Sequence, residues 1–354
     1  MKHSNFFLLA VVVIAQPVIP NVARGQANPA NPYPSWQKSG SIYMVTTPDG
    51  ADLPAAAVLD GFPLLVRLTK DWFDFSQAKP NGADVRFSDA SGLPLSYQIE
   101  EWNSNERTAA IWVRIPRIEG NCTQPFHLHW GKADAPSESN GQAVFNAANG
   151  FLSVFHMSEP IEDELGTLAV KDLNTSSSQG MIGLARHLNA GQGISGGKNV
   201  TSFPTEASPF SSEAWFKADR VNSVIVGWGN EKGESPKAVA QIRSPSHIRF
   251  GADGASKLAL SKWTHVLGTY SDGELKVYLN GRLDGSKKQK LQIKSPANFS
   301  IGGWNNEYRF IGDIDEVRVS TVARSPDWIK LQYENQKPQQ TLVGPIVQPG
   351  NDFE

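Results

Sequence analysis

The chain of 354 residues contains a single cysteine, Cys122. One thiol cannot form a disulfide within the chain, so the fold must be stabilised by packed cores or by bound ions. A catalytic thiol would also need a partnered histidine. An inert or buried thiol is therefore the simpler expectation for Cys122.

The chain also lacks an excess of charge of either sign. Its 33 Lys and Arg oppose 35 Asp and Glu, which leaves a formal net charge of -2. Non-specific binding of nucleic acid depends on surplus positive charge that neutralises phosphates. We therefore expect no nucleic acid among the partners of this protein.

Apart from its N-terminus, the sequence lacks a long apolar run, so no membrane span is expected in the mature chain. The N-terminus combines Lys2, an apolar run over residues 6–15, Pro17 and the small residue Ala27. This arrangement is typical of a secretory signal peptide, here residues 1–27. We expect an exported protein that is periplasmic, bound to the cell surface or secreted.

Helical periodicity is scarce as well, and short strands dominate the pattern. Residues 28–40 are rich in Pro and Asn and are predicted to form an extended lead-in. Residues 41–135 contain strands separated by turn formers, and in one of them Ile111, Val113 and Ile115 share an apolar face. The sequence predicts a small β-sandwich domain for this part.

A second and larger β domain is predicted after a connection. Residues 136–149 are polar and small and are predicted to be a linker. Residues 150–336 contain nine short strands with Gly, Asn and Asp between them, which predicts an antiparallel sandwich or jelly roll.

One helix and a tail complete the predicted organisation. The helix is predicted from Pro326 to Tyr333, because Ser325 is a good N-cap and proline suits the first helical position. Residues 337–354 contain three prolines and no closing element, which predicts a linker-like tail and favours a fragment of a longer protein.

Both units carry motifs of known families. The second contains, in order, a WTHV strand, a YLNG hairpin, an SIGGW strand and a GDIDEVRV strand. This series resembles the LamG-like domains of the concanavalin A-like lectin/glucanase group. The first unit, with NGADVRFSDASGLPLSYQIEEW and AAIWVRIPRI, resembles the domain of unknown function DUF2341. The resemblance implies an all-β protein, a small β-sandwich followed by a concanavalin A-like jelly roll with a short C-terminal helix.

The resemblance also implies a bacterial setting, because DUF2341 often directly precedes a LamG-like domain in exported bacterial proteins. Some relatives continue into proton-channel proteins of the MotA, TolQ or ExbB type. The sequence contains no such segment, so that activity is not carried over. A fragment of an ExbB/TolQ-type fusion stays open as an alternative.

The strand FIGDIDEVRVS raises the question of catalysis. In glucanases that share the fold, the catalytic strand resembles Glu-x-Asp-x-Glu, and strand alternation places its three carboxylates on one face. Here Asp313 and Asp315 share a face, Glu316 is expected on the other, and Val317 takes the third position. We therefore expect no enzymatic activity, and a glycoside hydrolase is the least favoured alternative.

Two structural roles remain for these carboxylates. The LamG-like resemblance implies that a calcium ion ties the start of the fold to its end, and calcium prefers six to eight oxygen ligands. The candidate calcium ligands are Glu159, Asp172, Asp313 and Asp315. In the alternative, Asp315 and Glu316 bond backbone amides and Arg318 or Arg324. The sequence leaves both alternatives open.

Two tryptophans at strand ends are candidates for ligand binding. Trp228 and Trp304 lie beside Gly, Asn and Glu, where an aromatic ring with amide neighbours suits a glycan. The candidate ligand-binding residues are Trp228, Trp304, Asn305 and Asn306. The alternative is that each tryptophan is a packed turn residue.

Together these features predict an exported, non-enzymatic protein whose jelly roll recognises a polysaccharide or glycoconjugate, with calcium as the one candidate cofactor. The alternative is a structural or protein-interaction module of a larger envelope protein, whose partner would be another envelope protein.

Overall fold

The computed structural model describes residues 31–230, 237–304 and 308–348. The predicted signal peptide, residues 1–27, lies outside these ranges. Within them the chain is almost entirely β and forms four antiparallel sheets, two in each predicted domain. None of the described helices is long and apolar enough to cross a bilayer.

The first domain is a sandwich of seven strands. They are β1 (Lys38–Val45), β2 (Val58–Thr69), β3 (Arg86–Asp89), β4 (Pro94–Leu95), β5 (Tyr97–Asn103), β6 (Thr108–Glu119) and β7 (Thr123–Trp130). One sheet has the order β1-β7-β3-β4 and the other β2-β6-β5. Both faces of β6 are covered, since Ile111, Trp112 and Val113 are all fully buried. The face with Trp112 packs against the second domain, where this ring lies beside His156 and Arg318.

The segment predicted as a linker, residues 136–149, packs as part of the first domain. It forms a short helix α1 (Gly141–Val144) and a 3-10 turn (Ala147–Asn149). Val144 and Phe145 are fully buried, and the Phe145 ring packs edge-on against Trp112 at 5.6 Å. The linker prediction is therefore corrected, because two apolar side chains within a polar stretch fill the space between the domains.

The second domain is a jelly roll with fifteen described strands. They are β8 (Phe151–Phe155), β9 (Lys171–Asp172), β10 (Ser176–Gln179), β11 (Leu184–Leu188), β12 (Ile194–Val200), β13 (Phe210–Ala218), β14 (Ser223–Gly229), β15 (Lys237–Arg243), β16 (His247–Phe250), β17 (Ala252–Lys257), β18 (Thr264–Ser271), β19 (Glu274–Leu279), β20 (Arg282–Lys288), β21 (Ala297–Ile301) and β22 (Gly312–Ser320). The sequence predicted nine, because short or Gly-rich strands such as β9 and β12 carry no apolar alternation.

The jelly-roll strands form two sheets with an apolar core between them. One sheet has the order β10-β11-β22-β13-β18-β19-β20, with β8 also paired to β22, and the other has the order β17-β16-β15-β14-β21-β12-β9. Aromatic rings fill much of this core, and Phe210 packs edge-on against Trp228 at 4.9 Å. The sheet that contains β22 faces the first domain, so the jelly roll has one covered sheet.

Helix α2 (Pro326–Gln336) packs on the covered sheet, as predicted, and extends three residues beyond the predicted end. Its N-cap is Ser325, whose Oγ accepts a hydrogen bond from the Trp328 amide at 3.2 Å. Trp328 also packs edge-on against Phe62 of the first domain, at 4.8 Å. The helix therefore contacts both domains.

The last turn of α2 closes the free edge of β2, which is the outer strand of its sheet. The side-chain amide of Asn335 donates to the Leu65 carbonyl at 2.9 Å and accepts from the Leu65 amide at 2.7 Å. Arg67 adds bonds to the carbonyls of Asn335 and Gln336. Asn335 thus replaces a neighbouring strand at this position, which protects an edge that would otherwise be open to pairing.

The tail after α2 returns to the first domain instead of forming a free linker. Four backbone hydrogen bonds join residues 342–347 to residues 41–45 of β1 in antiparallel pairs. Leu342 is fully buried. The prediction of a linker-like tail is therefore corrected for residues 337–348, because the apolar pattern Leu-Val-x-x-Ile-Val extends the sheet at β1.

We expect Asn335→Ala to lower the free energy of unfolding by about 2 to 3 kcal/mol, because it leaves a buried amide and a buried carbonyl of Leu65 without partners. Urea unfolding followed by tryptophan fluorescence measures this change. The matched control is Asn105→Ala, at an exposed position, where we expect a change within about 0.5 kcal/mol. Equal stabilities for both variants would contradict the role given to Asn335.

Candidate functional site

The closing strand β22 contains a bulge at Glu316. This residue has a positive φ of 49°, and the pairing with β13 shifts register between Glu213 and Trp215. A bulge inserts one extra residue, so the alternation of faces changes across it. Ile314 and Val317 therefore both lie in the jelly-roll core. The prediction that Glu316 points away from the face of Asp315 is wrong, since the bulge turns Glu316 towards the first domain.

Glu316 meets a second bulged glutamate across the domain interface. Glu100 lies on β5, where the pairing with β6 shifts register between Ile99 and Glu101. His156 lies between the two carboxylates: its Nδ1 is 2.7 Å from Glu316 Oε1 and 3.3 Å from Glu100 Oε2. The three side chains are at most 4% exposed. They come from parts of the chain that are far apart, so sequence reasoning missed this cluster.

Charges compensate one another in this interface cluster. Burial by itself lowers the pKa of His156, but the charges of Glu316 and Glu100 and the hydrogen bond to Glu316 raise it to about 9. Burial raises the pKa of Glu316, but His156 and Arg318 outweigh it and hold this pKa at about 2. Burial and the charge of Glu316 raise the pKa of Glu100 well above its usual range. At neutral pH the cluster thus centres on a Glu316 anion between two cations.

Asp315 and Glu316 fit the structural role that the sequence left open beside calcium binding, in which they bond backbone amides and an arginine. Asp315 Oδ2 accepts hydrogen bonds from the amides of Met181 and Ile182, at 2.8 and 3.0 Å. Glu316 accepts from Arg318, whose guanidinium also lies 4.3 Å from the centre of the Trp112 ring. These carboxylates therefore connect the closing strand to a loop and to the first domain.

Arg186 forms ion pairs with two of the predicted calcium ligands, Glu159 and Asp172. Its guanidinium is 2% exposed and donates to Glu159 and, at 2.8 Å, to Asp172 Oδ2. It also donates to both oxygens of Thr175 and to Ser177 Oγ, at 2.8 to 3.0 Å. A positive group thus already lies among the oxygen atoms that a calcium ion would need.

Asp313 lies apart from the Arg186 cluster. Its carboxylate accepts hydrogen bonds from Lys217, from Ser178 Oγ at 2.8 Å and pairs with His187 Nδ1 at 2.9 Å. In the part of the chain that the structure describes, the one group of three or more potential metal ligands within 4.8 Å of one another is Glu100, His156 and Glu316. The described structure therefore does not gather Glu159, Asp172, Asp313 and Asp315 into one group, and calcium binding stays a prediction.

The residues around Glu316 also fit calcium poorly. Calcium prefers oxygen ligands, whereas His156 offers nitrogen and Arg318 brings a fixed positive charge against the same carboxylate. The carboxylates of Glu159, Asp172, Asp313 and Glu316 each bond a side-chain cation, and that of Asp315 bonds backbone amides.

The two candidate tryptophans occupy different environments. Trp228 is fully buried in the jelly-roll core, and its Nε1 donates to the Pro204 carbonyl at 3.0 Å. The prediction that Trp228 binds a ligand at a strand end is therefore corrected, since its ring is fully buried and packs against Phe203 and Phe210. Asn305 and Asn306 lie outside the described residues.

Trp304 lines a cavity of about 430 Å³ at the end of β21. This volume is within the range of roughly 300–1,000 Å³ that is typical of ligand sites. Trp304 itself is 4% exposed, so it forms part of the wall and does not offer a free ring face. The polar side chains of the described lining are Gln192, Ser195, Lys198, Asn298, Ser300 and Arg309.

The Arg186 cluster holds one wall of this cavity. Asp172 lies on β9, which pairs with Ile194 and Ser195 of β12, and the next residue, Leu173, lines the cavity. The hydrogen bonds from Arg186 to Asp172 and to the carbonyl of Thr175 therefore fix the segment that flanks Leu173.

Two family models match parts of the chain. Residues 81–155 match the domain of unknown function DUF2341, and residues 192–330 match the concanavalin A-like lectin/glucanases superfamily. A DUF2341 match is thus followed by a match to the concanavalin A-like superfamily, in the predicted order. The DUF2341 match includes the segment predicted as a linker, in agreement with its packing. No curated protein matches the chain.

Solved structures resemble the chain at low identity. Domain 4 of the arabinanase AbnA from Geobacillus stearothermophilus, in complex with arabinotriose, is 19% identical, covering 52% of this chain and 98% of that one, with a TM-score of 0.43. The Trypanosoma rangeli sialidase, in complex with sialic acid, is 14% identical, covering 67% and 42%, with a TM-score of 0.40. The receptor-binding domain of botulinum neurotoxin D is 16% identical, covering 53% of each chain, with a TM-score of 0.39. These likenesses concern the fold, and no functional residue is transferred from them.

We expect His156→Gln to lower the free energy of unfolding and to make that free energy depend less on pH. The folded-state pKa of His156 is about 9 and its ordinary value is 6.5. The stability that this cation contributes is therefore fully present below pH 6.5 and is lost as pH rises through 9, on the order of 3 kcal/mol in total. Calorimetric unfolding between pH 6 and 10 measures it.

The control for this experiment is His247→Gln, at the half-buried first position of β16. It should keep the stability and the pH dependence of the wild type. A wild-type unfolding midpoint that is constant between pH 6.5 and 9 would contradict a charged His156.

We expect the thermal unfolding midpoint of the wild type to be the same in calcium chloride and in chelator, because Arg186 supplies the positive charge between Glu159 and Asp172. Arg186→Met should lower the midpoint by on the order of 5 °C, since both carboxylates lose their partner. The control Arg282→Met, at an exposed strand position, should leave it unchanged. A wild-type midpoint that falls on chelation would show that calcium is bound after all.

Proposed function

We propose that this is an exported, non-enzymatic binding protein whose jelly roll recognises carbohydrate in the cavity beside Trp304. The observation that carries the proposal is the lining of this cavity. Amides from Gln192 and Asn298, hydroxyls from Ser195 and Ser300, and the wall formed by Trp304 meet there. Convergent hydrogen-bonding groups beside apolar surface suit sugar hydroxyls and the C–H faces of sugar rings.

The burial of the closing-strand carboxylates supports a binding role. Glycoside hydrolysis needs two carboxyl groups that flank the sugar bond. Asp315 and Glu316 are at most 2% exposed and Asp313 is 4% exposed, and each is bonded to other residues of the protein. A sugar chain has no path to the first two, which lie between the domains.

The arrangement of the domains supports presentation of the cavity. The first domain covers the sheet that contains β22, whereas the cavity is built from β12 and β21 of the opposite sheet. The first domain can therefore hold the jelly roll firmly while the ligand site stays free. Export follows from the signal peptide predicted at residues 1–27, which would place the protein in the periplasm, on the cell surface or outside the cell.

The test is affinity electrophoresis of the purified protein against a panel of soluble polysaccharides. Asn298→Ala should weaken binding about tenfold, because one hydrogen-bonding amide is lost, and Asn298→Trp should abolish it by filling the cavity. The matched control is Asn199→Ala, on the same strand pair but outside the lining, which should bind as the wild type does.

Thermal unfolding of each variant verifies that the fold is kept. The proposal fails if no polysaccharide retards the wild type, or if Asn298→Trp binds as well as the wild type. The first of these results would favour the alternative of a structural or protein-interaction module.

A further inference from the structure

A second cavity lies in the first domain and shares no residue with the cavity beside Trp304. Its volume is about 390 Å³, near the lower end of the range that is typical of ligand sites. Its walls come from β2, from the connection between β4 and β5, from β6 and from the 3-10 turn (Ala147–Asn149). The function proposed for the jelly roll makes no use of this cavity.

One arginine in the cavity has no partner among the described residues. The guanidinium of Arg114 is half-buried and forms no hydrogen bond, ion pair or ring contact with them. By contrast, the buried arginines of the chain all donate to acceptors of the protein, namely Arg86, Arg186 and Arg318. A guanidinium has only donors, and donors withdrawn from water call for an acceptor. The N–H groups of Arg114 are therefore available to a ligand.

The backbone at Gly61 makes room for this guanidinium. Gly61 has a positive φ of 64°, and a Cβ there would lie 3.4 Å from both Nε and Nη2 of Arg114 and 3.2 Å from the Cβ of Asn149. The side-chain amide of Asn149 donates to the carbonyls of Gly61 and Val144, both at 2.9 Å. The wall behind Arg114 is thus bonded together within the protein, and a preformed site lowers the cost of ordering on binding.

The rest of the lining is mainly apolar. Ser96 adds one hydroxyl, and Asp60 adds one carboxylate. The Asp60 side chain is 74% exposed and lies 3.8 Å from Arg117, so it belongs to the rim and faces another arginine. A ligand with one anionic group and a small apolar body complements this combination. The apolar residues of the lining are Pro94, Leu95, Pro116 and Ala148.

We propose that this cavity binds a small carboxylate, whose two oxygens accept hydrogen bonds from the guanidinium of Arg114. The planar guanidinium matches the geometry of a carboxylate and can bind both oxygens at once. The apolar walls contact the body of the ligand. A doubly charged phosphate or sulfate ion fits less well, because one arginine compensates only part of its charge and the walls offer it no further cation. The first domain is then a ligand-binding module in its own right.

The first experiment measures binding of small carboxylates to the purified full chain by calorimetry. The probes are benzoate, cyclohexanecarboxylate and N-acetylprolinate, each compared with the neutral amide of the same shape, together with inorganic phosphate and sulfate. At least one carboxylate should bind with a Kd below about 1 mM and at least about tenfold more tightly than its amide. It should also bind more tightly than phosphate and sulfate.

The second experiment changes the cavity. Arg114→Gln should weaken binding of the carboxylate at least about tenfold, because the charged donor is lost. Ala148→Phe should abolish binding by filling the cavity from an exposed position. The matched control is Arg107→Gln, at an exposed arginine in the turn between β5 and β6, which should bind as the wild type does. Thermal unfolding midpoints equal to that of the wild type verify that the variants fold.

Amides that bind as tightly as the carboxylates would overturn the inference, and so would a carboxylate affinity that is unchanged in Arg114→Gln. Phosphate or sulfate bound as tightly as the best carboxylate would overturn the assigned ligand class, since the site would then accept any anion. The inference also fails if none of the carboxylates binds. These results do not bear on carbohydrate binding by the jelly roll, which the Asn298 variants test at a different cavity.

Discussion

The contact between the two domains is built on a charged surface that has no access to water. The outward face of β22 carries Asp315, Glu316 and Arg318, which are buried by the first domain and by the loop at Met181 and Ile182. Charges removed from water are costly unless each finds a partner. Glu316 obtains two through His156 and Arg318, and Asp315 obtains backbone amides. The position of the first domain is therefore tied to the closing strand of the second.

Two β-bulges make this arrangement possible. A regular strand would send Glu316 into the apolar core and would leave Glu100 out of reach of His156. Each bulge turns one glutamate towards the interface and restores the apolar alternation beyond it. Removing one partner of a buried ion pair is strongly destabilising, because the other charge stays buried without compensation. The cluster thus couples the stability of the fold to the contact between the two domains.

The sequence was sufficient for the order of domains, most strands and the N-cap of α2, because these depend on local patterns of apolar residues and on Ser325 and Pro326. It was insufficient wherever a long-range contact decides the outcome. The bulge at Glu316 requires a positive φ that no alternation reveals, and His156 gains its importance from Glu100, 56 residues away in the chain. Trp228 resembled a rim residue because glycines flank it, yet its small neighbours allow close packing in the core. The prediction for Trp304 was nearer to the structure, because its side chain lines a cavity, although it offers no exposed ring face.

The pairing of the tail with β1 has a mechanical consequence. Val347 is the direct partner of Ser41, and Val343 is that of Met44, so the end of the tail lies beside the first half of β1. Antiparallel hydrogen bonds run perpendicular to the strands. Tension that pulls the tail away from β1 would break these hydrogen bonds one after another. The tail would therefore separate from β1 at low force. The two domains and the cavity would be loaded only after the tail has been released.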